Sequence, residues 1–120
     1  MNMVLKRVYE PRSEADGFRV LVDRLWPRGL SKDKAHIDVW EKNIAPSNDL
    51  RKWFNHEINK WPDFQRRYRE ELTAAPEEVR AFRRILDQHP VVTLLYGAKD
   101  EEHNQAVVLR DYLLQGDTES

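Results

Sequence analysis

Two compact apolar runs, Phe18-Arg19-Val20-Leu21-Val22 and Val91-Val92-Thr93-Leu94-Leu95-Tyr96, stand out along the chain. Both are short, rich in β-branched and aromatic residues and followed by polar clusters, which is the pattern of buried strands. Met3–Tyr9 alternates loosely and suits a first strand. Glu10–Gly17 is polar, contains Pro11 and Gly17, and reads as a loop. Ile37-Asp38-Val39-Trp40 alternates with period two and predicts a weak strand at a sheet edge.

Helical periodicity fills the rest. Ser31 caps a single turn over Lys32-Asp33-Lys34-Ala35. Pro46-Ser47 marks a helix start, after which Leu50, Trp53, Phe54 and Ile58 fall on one face. Trp61, Phe64, Tyr68 and Leu72 then form a clear stripe past Pro62. Pro76 opens another helix, with Glu77 and Glu78 favourable against its dipole and Val79, Phe82, Ile85 and Leu86 facing inward. A final helix carries Ala106, Val107, Leu109, Leu113 and Leu114 and ends at Gly116, leaving 117–120 as a tail expected to fray. A strong strand followed at once by a helix is an α/β signal. The expected fold is one three-layer α/β domain over residues 1–116, Rossmann-like, with a small, mostly parallel sheet and helices on both faces. The pattern leaves strand order and oligomeric state open.

Composition narrows the function classes. A chain of 120 residues makes one domain, with about two thirds of its unfolded surface buried. Twenty basic and 21 acidic residues leave a net charge of -1, so global charge gives no pull toward nucleic acid or membrane. The absence of Cys excludes disulfides, thiolate nucleophiles and Cys-ligated metals. No apolar run reaches the roughly 20 residues of a membrane span. The first residues lack the apolar stretch and cleavage site of a signal peptide, so the expected compartment is the cytoplasm.

Candidate chemistry sits where the two compact runs stop. Asp23-Arg24-Leu25-Trp26-Pro27-Arg28-Gly29 follows the first, and Lys99-Asp100-Glu101-Glu102-His103-Asn104 follows the second. Ligands of open parallel sheets bind at the carboxyl ends of strands, so both clusters are expected in one mouth. Asp23, ending a buried run, needs a partner, and Arg24, Arg28 or Lys99 would supply it. Arg24, Arg28 and Lys99 suit a phosphate or carboxylate. Trp26 offers a wall for stacking, or serves simply as core. Asp100 suits a helix N-cap as well as a site role, with His103 at the third helical position and Asn104 after it. His103 is the ready proton carrier, and His56 approaches from the helical layer. A metal on Asp23, Asp100 and His103 is chemically possible, but no spacing requires it and the nearby cations oppose it. The sequence leaves any cofactor open.

Arg51-Lys52-Trp53-Phe54-Asn55-His56 sets basic beside aromatic residues, a pattern met in nucleic-acid contact. Leu50 and Ile58 at helical spacing favour Trp53 and Phe54 as core instead. No GxGxxG, Walker A, HExxH or GxSxG motif occurs.

Taken together, several segments resemble the YeaO-like family of small bacterial proteins, a family built on a domain of unknown function. They are Val22-Asp23-Arg24-Leu25-Trp26-Pro27-Arg28-Gly29, Trp40 with Ile44-Ala45-Pro46-Ser47, Leu50-Arg51 with Trp53-Phe54, Phe64, Arg67, Tyr68, Glu71-Leu72, Thr93-Leu94-Leu95-Tyr96, Lys99-Asp100 and His103-Asn104-Gln105-Ala106. The resemblance runs from about Arg19 to Leu114. The family commonly carries Ala where this chain has Gly97. The resemblance implies an α/β fold and a bacterial or archaeal cytosolic setting, and it implies no activity.

Two readings follow. In the first, a strand-end site binds an anionic small molecule, and the protein is a binder or a small enzyme with His103 as acid or base and Asp23 orienting an Arg or that His. In the second, the protein is a nucleic-acid-associated or regulatory module without catalysis.

Overall fold

The computed structural model of the chain describes residues 2–116. Strands β1 (Asn2–Arg7), β2 (Phe18–Leu21), β3 (Val39–Trp40) and β4 (Val91–Tyr96) form one sheet in the order β1-β4-β2-β3, and every pairing is parallel. Helices α1 (Lys32–Ala35), α2 (Asn48–Phe54), α3 (Trp61–Thr73), α4 (Pro76–Leu86) and α5 (Gln105–Gly116) surround it. The tail expected to fray, 117–120, lies outside the described residues.

β4 is central, registered with β1 from Asn2↔Val91 to Arg7↔Tyr96 and with β2 from Phe18↔Val92 to Leu21↔Leu95. A strand covered on both faces needs apolar residues at successive positions, which is why its run does not alternate. Val20, Val22, Val92, Leu94 and Tyr96 face the main core, where they meet Leu50 and Phe54 of α2, Phe64, Tyr68 and Leu72 of α3, Val79 and Phe82 of α4, and Leu109 of α5. Leu21 and Leu95 point to the other face and pack with Val8, Trp26, Leu30 and Ile37. The expected three layers are present, with four helices on one face and the α1 segment on the other.

That second face also holds a polar knot. Arg19 is 2% exposed, and its guanidinium donates to the Asp16 carboxylate and to the carbonyls of Ala35 and His36. Lys6 donates to Asp16 as well, and the Thr93 hydroxyl donates to the Asp16 carbonyl. Burial pushes the Asp16 carboxyl up, but the Ser13 amide, Lys6 and Arg19 outweigh it and hold the group below its ordinary value. The knot clamps the β1–β2 connection across the sheet. Arg19 is the inward polar member of an apolar run.

Two sequence expectations are corrected. Ile58 does not share the α2 face: the helix ends at Phe54, Asn55 and His56 take left-handed backbone (φ 46° and 57°), and Ile58 is exposed. Asn is one of the few residues that tolerates that conformation and ends helices with it. Asp100 does not cap the last helix either. It caps the turn before it, accepting from the Glu102 and His103 amides, and Asn104 accepts from the Val107 amide at the start of α5. His103 therefore precedes the helix instead of lying in its first turn.

Candidate functional site

The carboxyl ends of β2 and β4 open into a cavity of about 380 Å³. Three stretches wall it: residues 23–28 after β2, Gly97, Ala98 and 103–105 after β4, and Arg51, Lys52 and 54–56 of α2 and its end. Pro46, Phe64 and Tyr9 complete the lining.

The segment before α2 fixes that helix over the mouth. Arg24 donates from Nε to the Pro46 carbonyl (2.8 Å) and from its terminal nitrogen to the Ala45 carbonyl (3.1 Å). The Tyr68 hydroxyl donates to the Ile44 carbonyl at 2.7 Å. Ser47 caps α2 by accepting from the Leu50 amide, and Glu71 of α3 accepts from both the Ser47 amide and its hydroxyl. One turn past that cap stands Arg51. Its Nε is buried and has no hydrogen-bond partner among the described residues. A buried, unpaired donor on a cation is costly unless a ligand or solvent satisfies it.

Asp23 sits at the base of the cavity. It was expected to pair with Arg24, Arg28 or Lys99. Instead Oδ2 accepts from the Gly97 amide at 2.8 Å and Oδ1 accepts from the Gln105 side-chain amide. Arg24 is turned to backbone carbonyls, and neutral donors take its place. Burial raises the Asp23 carboxyl to about 6, and the two hydrogen bonds only partly offset it. A Cβ at position 97 would lie 2.9 Å from Asp23 Oδ2, so Ala there would press the carboxyl off the Gly97 amide.

His103 lines the cavity with its ring held on both sides. Its Nδ1 is 2.9 Å from Asp100 Oδ2, and the ring stands edge-on to Trp61 at 5.2 Å. The Glu102 amide, against a smaller effect of burial, and then His103 hold the Asp100 carboxyl below its ordinary value. Asp100, outside the lining, thus holds the His103 ring, a part expected of Asp23.

The remaining candidates divide. Arg28 and His56 line the mouth with exposed side chains. Trp26 lines it too, but its indole N–H donates to the Leu30 carbonyl (2.7 Å) and its ring meets Trp40 at 5.4 Å, so part of it is core. Asn104 is 1% exposed, and both ends of its amide are used, on the Asp100 carbonyl and the Val107 amide. Lys99 is exposed and does not line the cavity. Among the described residues, no group of three or more His, Asp or Glu is placed to hold a metal ion. Sequence reading missed Arg51 and Gln105 as cavity residues. Arg51 stood in the stretch read for nucleic-acid contact, and its place one turn after the Ser47 cap was the signal for the cavity.

The basic and aromatic stretch of α2 is largely spent on the fold. Phe54 is buried against Phe64 at 4.3 Å, and the Trp53 ring lies under Arg67 (4.1 Å) and Lys60 (5.1 Å). Phe54 is thus core, and the half-buried Trp53 ring is engaged by two cations. No helix among the described residues is long and apolar enough to cross a membrane.

Fold and cavity define the class: a single all-parallel α/β domain with a polar pocket at the carboxyl edge of its sheet. Residues 2–120 match the family model DUF488-N3i, described as the inactive DUF488-N3 subclade, and the chain belongs to that family. It is 44% identical over 113 residues to the uncharacterized protein YeaO of Escherichia coli K12, covering 94% of this chain and 97% of that protein. It is 40% identical over 109 residues to the uncharacterized protein Rv3073c of Mycobacterium tuberculosis H37Rv, covering 89% of each. No solved structure matches it significantly. The YeaO-like resemblance read from the sequence is thereby upheld.

Proposed function

We propose that the strand-end cavity binds a small anion bearing a phosphate or carboxylate group, and that the protein acts as a binder without turnover, in the cytoplasm. The observation that carries this reading is the charge of the lining. Arg28, Arg51 and Lys52 line a space whose one carboxylate among the described residues is Asp23, while Arg24 beside it is turned to backbone carbonyls. The buried, unpaired Arg51 Nε is the donor an anion would satisfy. The absence of turnover is supported by the family model's description as an inactive subclade. A nucleic-acid role has less support, because Trp53 and Phe54 are engaged in packing.

Thermal unfolding against a panel of phosphate monoesters and small carboxylates tests the reading. A ligand present at a hundredfold its Kd stabilises by about 2.7 kcal/mol, worth roughly 10 °C for a domain of this size. At least one anion is expected to give such a rise in the parent and to lose most of it in Arg51→Met, a variant that unfolds within a few degrees of the parent when no ligand is present. A flat response across the panel, or an equal rise in the variant, sinks the proposal.

A further inference from the structure

His103 has a constrained chemistry that the anion reading alone does not use. Asp100 Oδ1 accepts from the Glu102 amide (2.9 Å) and the His103 amide (3.0 Å), while Oδ2 faces His103 Nδ1. Those donors keep Asp100 an ionised acceptor. A carboxylate has no proton to give, so Nδ1 must carry the N–H. The neutral ring then presents Nε2 as a bare lone pair, which repels an anion. Only the imidazolium presents Nε2–H, which attracts one. Among the described residues Nε2 has no hydrogen-bond partner, and the ring lines the cavity.

We infer that His103 is a proton-coupled contact of this cavity: its Nε2 binds a dianionic oxyanion of the phosphate-monoester class as the imidazolium, so binding to the neutral ring is coupled to proton uptake at Nε2. The inference rests on the anion reading above. A dianion suits the lining better than a monocarboxylate, because Arg28, Arg51 and Lys52 already supply more positive charge than one negative charge balances. The proton comes from solvent and returns to it on release; no bond of the ligand changes. Other charged groups face the same space: Asp23, Arg24 and Arg28 from the loop after β2, and Arg51, Lys52 and His56 from α2 and its end. Asp23 is the rival site of uptake, since protonating it would also relieve repulsion.

Sulfate is the clean probe, because it is a dianion with no titrating proton of its own near neutrality. Nitrogen-15 resonances of the imidazoles, followed from pH 5 to 9 with and without saturating sulfate, report each histidine separately. The expected result is a rise of at least one pH unit in the His103 midpoint, with His36 and His89 unmoved. By linkage that equals a tenfold loss of sulfate affinity on raising the pH across the window. Acetate at equal concentration is expected to move the midpoint far less. Asp23→Asn should keep the pH dependence of affinity, and His103→Gln should bind sulfate with that dependence gone. Sulfate binding with an unmoved His103 midpoint overturns this inference and leaves the anion reading standing. So does pH dependence that vanishes in Asp23→Asn. An acetate effect as large as that of sulfate overturns the dianion assignment. No response of any resonance to sulfate overturns both readings.

Discussion

Burying the Asp23 carboxyl beneath Gly97 and Gln105 leaves a thermodynamic trace. Its pKa rises from an ordinary 3.8 to about 6 in the folded chain. The folded state therefore binds the proton more tightly, and stability falls as pH rises through that window. The loss is roughly 2–3 kcal/mol once the carboxyl is ionised. Asn cannot ionise, and the Gln105 amide can turn to serve either end of it. Measured by urea unfolding, Asp23→Asn should gain about that amount relative to the parent between pH 4 and pH 7. A constant difference across that range would show that the burial is not felt. The polar knot gives a second test at this scale. Asp16→Ala would leave Arg19, 2% exposed, without its anionic partner, at a cost of about 3 kcal/mol or more; a loss below about 1 kcal/mol would mean the guanidinium finds water. Asp23 and His103 were legible because each follows a readable strand. Arg19 was not, since an Arg inside an apolar run gives no sign of which way it turns.

At the scale of elements, the site depends on how α2 is held and how it ends. Arg24, Tyr68 and Glu71 clamp the 44–47 segment, and the left-handed pair Asn55-His56 turns the chain back over the mouth. A non-Gly residue in that backbone region costs roughly 1–2 kcal/mol. His56→Gly should therefore be about 1 kcal/mol more stable than His56→Ala, read from paired denaturation curves. Equal stability would mean that residue 56 leaves the left-handed region in solution. The apolar spacing of Leu50, Trp53, Phe54 and Ile58 continues across this break, so periodicity alone extended the helix too far. The start of α5 was misplaced for a related reason. Asp100 and Asn104 are both good capping residues, and local preference cannot say which of two caps opens the helix and which only orders the turn before it.

Over the whole molecule, the parallel sheet gathers two loops at its carboxyl edge, and α2 closes the third side. The sheet, its edge strand and the strand-end loops follow from short apolar runs, the breakers after them and the parallel α/β rule, so they could be read from sequence. Strand order could not, because β1 and β2 both pair with β4 across a large separation in sequence. The cavity's third wall was legible only at His56, expected from the helical layer; Arg51 was not, since which face α2 turns inward depends on its docking through Glu71 and Tyr68. That wall supplies Arg51, on which the anion account rests. The most direct test is calorimetric titration of inorganic phosphate into the intact protein and into Arg51→Met at low salt. The account predicts one site in the parent and affinity at least tenfold weaker in the variant. An absence of binding heat in the parent, or equal affinity in both, would contradict it.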